Sequence, residues 1–283
     1  MNVHKAHNRI TIFPKYDIGF KSLFKSEESG IVTEGFLRAM LDFPEGESLG
    51  EFHVKDPELL PQIEEGKLSV LDVLIEMPSG EKILVEMQKN RFPGMKERLV
   101  YEWAHVALRQ LSRGRKYKEF RRVIFVALME NNIIEDSPHY IHHYELYDKK
   151  WGSRFTDVIS FVIIELKKLP DVPDSADSKD AWLWAKFIAS ESEEEMAELA
   201  KQNESIEQGR QILVKLSAEE NAEYQAFIAD LQERDYISSM DGAREEGLAE
   251  GKRDGARLMK ADGMEFALIE KYTGLSREEI EEL

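Results

Sequence analysis

The 283-residue chain contains no cysteine. That absence excludes disulfides, thiolate zinc sites, iron–sulfur clusters and cysteine nucleophiles together. It also has no run of 18 consecutive apolar residues, so a transmembrane helix is not expected. Met1–Pro14 has no apolar segment of the kind a secretory signal needs, and a cytoplasmic protein is the expectation. Neither a phosphate-binding Walker loop nor a dinucleotide fingerprint is present, so no nucleotide cofactor is expected. No Ser-His-Asp arrangement is visible either. What the chain has in excess is acid: 55 Asp and Glu against 38 Lys and Arg, a net charge of −17. With 42% hydrophobic residues, it can still bury an ordinary core.

The acid is unevenly placed. Residues 1–125 carry a net charge of +1 and residues 126–283 a net of −18. Within 89–122, eleven basic residues face only Glu97, Glu102 and Glu119. Such a stretch can hold phosphates even inside an acidic chain. It is also what a solvated helix face looks like, and composition does not separate the two.

Apolar spacing predicts helix over 15–42, strands over 68–77 and 82–88, a helix over 93–113, and strands over 122–129, 140–147 and 156–166. Leu169–Lys179, with two prolines, reads as a linker. Everything beyond it reads as helix. The expectation is an α/β domain over 1–170 and an all-helical region over 180–283. Gly242, Gly247, Gly251 and Gly255 recur at four- and five-residue steps, as in helices that approach one another closely. A homodimer through the C-terminal helices is one expectation from them; a solvated helix on which little depends is the other. His139, His142 and His143 cluster in sequence. Neighbours on a strand point to opposite faces, so a structural role is expected.

Val70–Gln88 is the most informative segment. Pro78-Ser79-Gly80 fits a three-residue hairpin loop that pairs Met77 with Glu81. Leu74 then faces Leu84, and Asp72 faces Glu86. Alternation supports this register: Leu71, Val73, Ile75, Ile83, Val85 and Met87 share one apolar face. Asp72, Glu86 and Gln88 share the other, with Leu74 and Leu84. Two carboxylates opposed across strands destabilise a sheet unless something compensates. A hard divalent cation would, and so would separate basic partners on a solvated face. Both readings stand on hairpin geometry.

These residues carry a resemblance. Asp72 followed by Glu86-Met87-Gln88 resembles the PD-(D/E)XK nuclease superfamily, in particular the Rpn recombination-promoting nucleases, also described as PD-(D/E)XK-family transposases. Tyr16–Phe24, Lys67–Leu74, Gly80–Gln88, Arg98–Tyr101, Ile164–Leu169 and Thr273–Ile280 match the family in order. The resemblance implies an α/β, restriction-endonuclease-like mixed-sheet core with a C-terminal all-helical extension. It also implies DNA as substrate and Mg²⁺ (or Mn²⁺) as cofactor, with hydrolysis of phosphodiesters. Asp72 and Glu86 would bind the metal, with Gln88 standing where most of the superfamily has lysine. An amide can orient water but supplies no positive charge. The resemblance further implies an acid from the first helical region, for which Glu34 is the candidate. Lys21 and Lys67 would touch phosphate. Arg98, Arg109, Arg113 and Lys116, with Tyr101, would form a mostly basic helix face along the DNA backbone. Many relatives carry a second aromatic after Tyr101, where this chain has Glu102.

Overall fold

The structure, a computed structural model, describes residues 10–41, 43, 49–55, 72–111, 116–173, 179–218, 247–248 and 250–283. Lys67, Val70, Leu71, Arg113, Gly242 and the helix expected over 219–232 lie outside the described residues. The first helical stretch resolves into two helices, α1 (Asp17–Lys25) and α2 (Gly30–Met40). Ser29 makes the break: its hydroxyl donates to the carbonyls of Phe24 and Ser26 (both 2.7 Å). Strands β1 (His53–Lys55), β2 (Val73–Glu76) and β3 (Lys82–Gln88) follow, then helix α3 (Met95–Leu108). The remaining strands are β4 (Val123–Met129), β5 (Ile141–Tyr147) and β6 (Arg154–Glu165).

The six strands form one sheet in the order β1-β2-β3-β4-β6-β5. Pairing is parallel between β3 and β4 and between β4 and β6, and antiparallel elsewhere. This is the expected mixed sheet flanked by helices. β4 explains itself: all seven residues of Val-Ile-Phe-Val-Ala-Leu-Met are buried, because both sheet faces are covered. On one face Val73, Ile75, Ile83, Val85, Ile124, Val126 and Leu128 pack in a single cluster with residues of α1 and α2. On the other face Leu74, Leu84, Phe125 and Ala127 pack with Met95, Leu99, Val106 and Ala107 of α3. The loop between β5 and β6 leaves Tyr147, Trp151 and Phe155 exposed at the sheet edge.

Helices α4 (Lys179–Ala189), α5 (Glu193–Ala200) and α6 (Glu204–Ala218) come after the Pro-rich stretch. They were expected in a separate region, but their apolar residues belong to the first cluster. Edge-on aromatic contacts run from Phe20 to Phe24 (5.2 Å), Phe36 (5.1 Å), Trp184 (5.6 Å) and Phe187 (5.8 Å), joining α1, α2 and α4. Each such pair adds about 0.5–1.5 kcal/mol beyond its buried area. The chain divides into compact units at 226/227, not at the linker. The second unit holds a helix over 250–261 (α7), α8 (Phe266–Thr273) and α9 (Arg277–Glu281). They meet through Ala256, Ile269 and Ile280. Gly274 ends α8 at φ 72° and Ser276 caps α9, as their sequence positions predict. No helix among the described residues is long and apolar enough to cross a membrane.

Close approach between α2 and α6 is set by Gly35. A Cβ there would lie 2.0 Å from Ser205 Oγ and 2.3 Å from Ser205 Cβ. Gly35→Ala is therefore expected to destabilise the protein by about 1–3 kcal/mol. Ser205→Gly in the same chain should recover part of the loss. Urea unfolding monitored by tryptophan fluorescence measures both. An unshifted midpoint for Gly35→Ala would mean that α6 is not docked on α2.

Candidate active site

The hairpin has the predicted register. Met77 N–H donates to the Glu81 carbonyl (2.9 Å) and Gly80 N–H to the Met77 carbonyl (2.8 Å), with Gly80 at φ 88°. Leu74 pairs with Leu84 and Val73 with Val85. One step further, at Asp72 and Glu86, side chains take over from the backbone ladder. Asp72 N–H donates to Glu86 Oε2 (3.0 Å), and Met87 N–H donates to Asp72 Oδ2 (2.9 Å). Each carboxylate thus accepts an amide from the opposite strand. Gln88 Nε2 donates to Glu86 Oε1 (2.8 Å), so Gln88 orients the glutamate. Asp72 and Glu86 are both buried. The helix that covers Leu74 and Leu84 is α3, so this end of the sheet face is not solvated.

Two helices add the surrounding charge. From α1, Lys21 Nζ lies 2.8 Å from Asp17 Oδ1 and 3.7 Å from Asp72 Oδ1. The Asp17 and Asp72 carboxyls also interact through a side-chain hydrogen bond. From α3, Arg98 Nε bonds Glu102 Oε1 at 2.7 Å, and its Nη2 lies 3.8 Å from Glu86 Oε1. Glu102, at the position where many relatives are aromatic, is buried. Its carboxylate holds Arg98 over the site.

Burial dominates the electrostatics. It pushes the Asp72 carboxyl up to about 6; Asp17 adds to the rise, and the Met87 amide and Lys21 oppose it. Burial also raises Glu86 well above the ordinary carboxyl range, helped by the charges of Asp72 and Glu102 and opposed by the Asp72 amide and Arg98. Desolvation penalises the charged form, and two neighbouring carboxylates penalise each other. A divalent cation would remove both penalties. The donors here are hard oxygens, which suit Mg²⁺ or Mn²⁺. Among the described residues no group of three or more His, Asp and Glu side chains could hold an ion. Asp72 and Glu86 would therefore bind it as a two-carboxylate site completed by water and phosphate oxygens, the usual situation for Mg²⁺.

The other sequence candidates fall in different places. Glu34 pairs with Arg38 one turn along α2 (2.9 Å) and is half exposed. The acid that reaches Asp72 is Asp17 of α1. Its signal was legible: Asp17 and Lys21 are four apart in the Tyr16–Phe24 segment, so they share a helix face. The basic helix face is shorter than expected. Helix α3 ends at Leu108, so Lys116 lies off it, exposed before the 3-10 turn Tyr117–Glu119. Arg98 turns inward to the carboxylates. Tyr101 is exposed and lies beside His105 (ring centroids 6.0 Å apart). Arg109 Nη2 is 2.7 Å from His105 Nε2. Burial and the Arg109 charge lower the His105 pKa. His142 and His143 sit on opposite faces of β5 and form no metal site with His139.

A mixed sheet whose antiparallel hairpin brings an Asp and a Glu-x-Gln together at one end, under flanking helices, defines a nuclease of the PD-(D/E)XK fold class. Residues 14–243 match the model for the PD-(D/E)XK nuclease family transposases, and the chain belongs to that family. No curated protein and no solved structure gives a significant match.

The raised Asp72 pKa fixes a sign. An acid whose folded-state pKa lies above its unfolded value of about 3.9 favours folding below that value and loses the contribution as pH rises through about 6. The metal-free protein should therefore be less stable at pH 7.5 than at pH 5, by on the order of 3 kcal/mol at most from this group. Asp72→Asn, which keeps an acceptor for Met87 N–H, should remove that part of the dependence. Thermal melts in EDTA across pH 5–8 give the comparison; parallel curves for the two proteins would refute the coupling.

Proposed function

We propose that this protein is a divalent-metal-dependent DNA endonuclease, a hydrolase of phosphodiester bonds with a role in transposase-like, recombination-promoting reactions. The observation that supports it best is the reciprocal clasp of Asp72 and Glu86, two buried carboxylates opposed with no full complement of positive partners. Bound there, Mg²⁺ or Mn²⁺ would polarise a phosphoryl oxygen and lower the pKa of a bound water. The protein's own contribution is placement. Asp72 and Glu86 act as ligands, each locked by an amide of the other strand. Gln88 sets the rotamer of Glu86 and can orient a water. Arg98, anchored by Glu102, offsets the charge of Glu86. The cover of α3 excludes bulk water, which strengthens every charge interaction at the site.

Tyr101, Arg109 and Lys116 are the proposed contacts to the DNA backbone beyond the site, with Lys67 and Arg113 outside the described residues. These contacts carry no base information. A homodimer through the C-terminal helices and a cytoplasmic location complete the proposal.

Nicking of supercoiled plasmid tests it. Asp72→Asn and Glu86→Gln should each reduce cleavage to background, with circular dichroism and melting showing an intact fold. EDTA should abolish wild-type cleavage and added Mg²⁺ or Mn²⁺ restore it. Nicking at the wild-type rate by both variants would leave a protein that binds DNA or oligomerises without catalysing. A second measurement addresses the backbone contacts. Replacing Arg109 and Lys116 together by Ala should weaken binding of two unrelated duplexes alike. The slope of log affinity against log salt should become shallower by about 0.9 per lost phosphate contact. An unaltered slope would remove these residues from the DNA-binding surface.

A further inference from the structure

Phosphodiester hydrolysis builds negative charge on the phosphoryl oxygens, and a fixed positive group beside them lowers the barrier. The position two residues after Glu86, where most of the superfamily has lysine, holds Gln88. Its amide carries no net charge and is engaged with Glu86 Oε1. Three cations lie nearby. Lys89 is next in sequence, but its ammonium sits over the Tyr16 ring, 4.3 Å from the centroid. Arg98 is committed to the buried Glu102 at 2.7 Å and stacks over Phe92 at 5.5 Å. Releasing it would strand a buried charge.

Lys21 differs on each count. Its short contact is to Asp17, whose side chain is 53% exposed and can be resolvated. Its longer contact, 3.7 Å, is to Asp72 itself. It carries a compact charge on a flexible four-carbon stem. The apolar face of α1 is spent on Phe20, Leu23 and Phe24, which anchor the helix in the core and so fix where Lys21 emerges. Lys21 approaches the carboxylate pair from α1, and Gln88 approaches it from β3.

We infer that the positive charge missing from β3 is supplied from α1, with Lys21 stabilising the charge that develops on the phosphoryl group. This rests on the endonuclease reading. In that reaction a water oxygen bonds to phosphorus as the bond from phosphorus to the leaving sugar oxygen breaks. The water gives up one proton to solvent and the leaving oxygen gains one. Lys21 remains protonated throughout and contributes charge alone.

Four proteins test the assignment: wild type, Lys21→Met, Gln88→Lys and the double variant, with Asp72→Asn as the control. Single-turnover cleavage of a saturating duplex should slow by about 10²-fold in Lys21→Met. Affinity for the same duplex in EDTA should be unchanged. The double variant should regain at least about tenfold of the lost rate, because its charge returns to the neighbouring strand. A readout independent of cleavage is Mn²⁺ binding by calorimetry without DNA. Removing a cation beside Asp72 should tighten it. Lys21→Gln replaces Lys21→Met if the latter does not fold. Four results would overturn the inference: a wild-type rate for Lys21→Met, a rate loss matched by an equal loss of DNA affinity, a double variant as slow as Lys21→Met, or unchanged Mn²⁺ affinity. If Asp72→Asn cleaves like wild type, the endonuclease reading fails. If Asp72→Asn is inactive while Lys21→Met is normal, only the role of Lys21 fails.

Discussion

Asp72 and Glu86 are held together by the sheet itself. Each carboxylate occupies the place of a backbone acceptor and takes an amide hydrogen from the facing strand. The pair therefore cannot separate without undoing the end of the β2–β3 ladder. Nor can it be comfortable, because two acids out of contact with water repel each other and lose hydration. Most of what surrounds the pair follows from that constraint. Helix α1 brings Lys21, helix α3 brings Arg98, and Gln88 turns back to steady Glu86. The discomfort that remains is what a divalent cation would relieve.

A second buried carboxylate shows how differently a structural one is treated. Glu165, at the end of β6, is fully buried. Its Oε1 accepts the amides of Ile133 (2.5 Å) and Ile134 (2.9 Å), and its Oε2 accepts Lys168 Nζ at 2.5 Å. Lys168 also caps the carbonyls of Ile134 and Ser137. This acid has a close cation of its own and ties the loop after β4 to the sheet. Asp72 and Glu86 each have a cation only at 3.7–3.8 Å, and they have each other. Burial is common to the three acids; what separates ligand from strut is whether a close positive charge is already in place.

The charge pattern is resolved in a similar way. The basic stretch over 89–122 does not form one stripe. Arg98 faces the carboxylates, Lys89 covers Tyr16, and Arg122 pairs with Glu145 across the sheet (3.2 Å). Arg109 and Lys116 lie on opposite sides of the end of α3. A net charge summed along the chain says nothing of direction, because each turn of helix and each strand reverses which neighbours a side chain meets.

The sequence by itself determined the hairpin, its register and the face shared by Asp72, Glu86 and Gln88. Those follow from a period-two alternation and a Pro-Ser-Gly turn, which are local rules. It also determined the caps of the last two helices, through Gly274 and Ser276. It did not determine which acid joins Asp72. Glu34 and Asp17 both sit in the first helical stretch, and only the break at Ser29 and the packing of Phe20 and Leu23 decide that Asp17 faces the pair. The linker misled for a related reason. Prolines mark where regular structure stops, but whether two flanking segments share a core depends on apolar surfaces meeting in space. Trp184 meets Phe36, and that contact joins α4 to the sheet's helical cover. Glu102 shows the limit most plainly: in sequence it is a charge on a helix, and only the approach of α3 to β3 buries it beside Arg98 and Glu86, where desolvation gives it its effect.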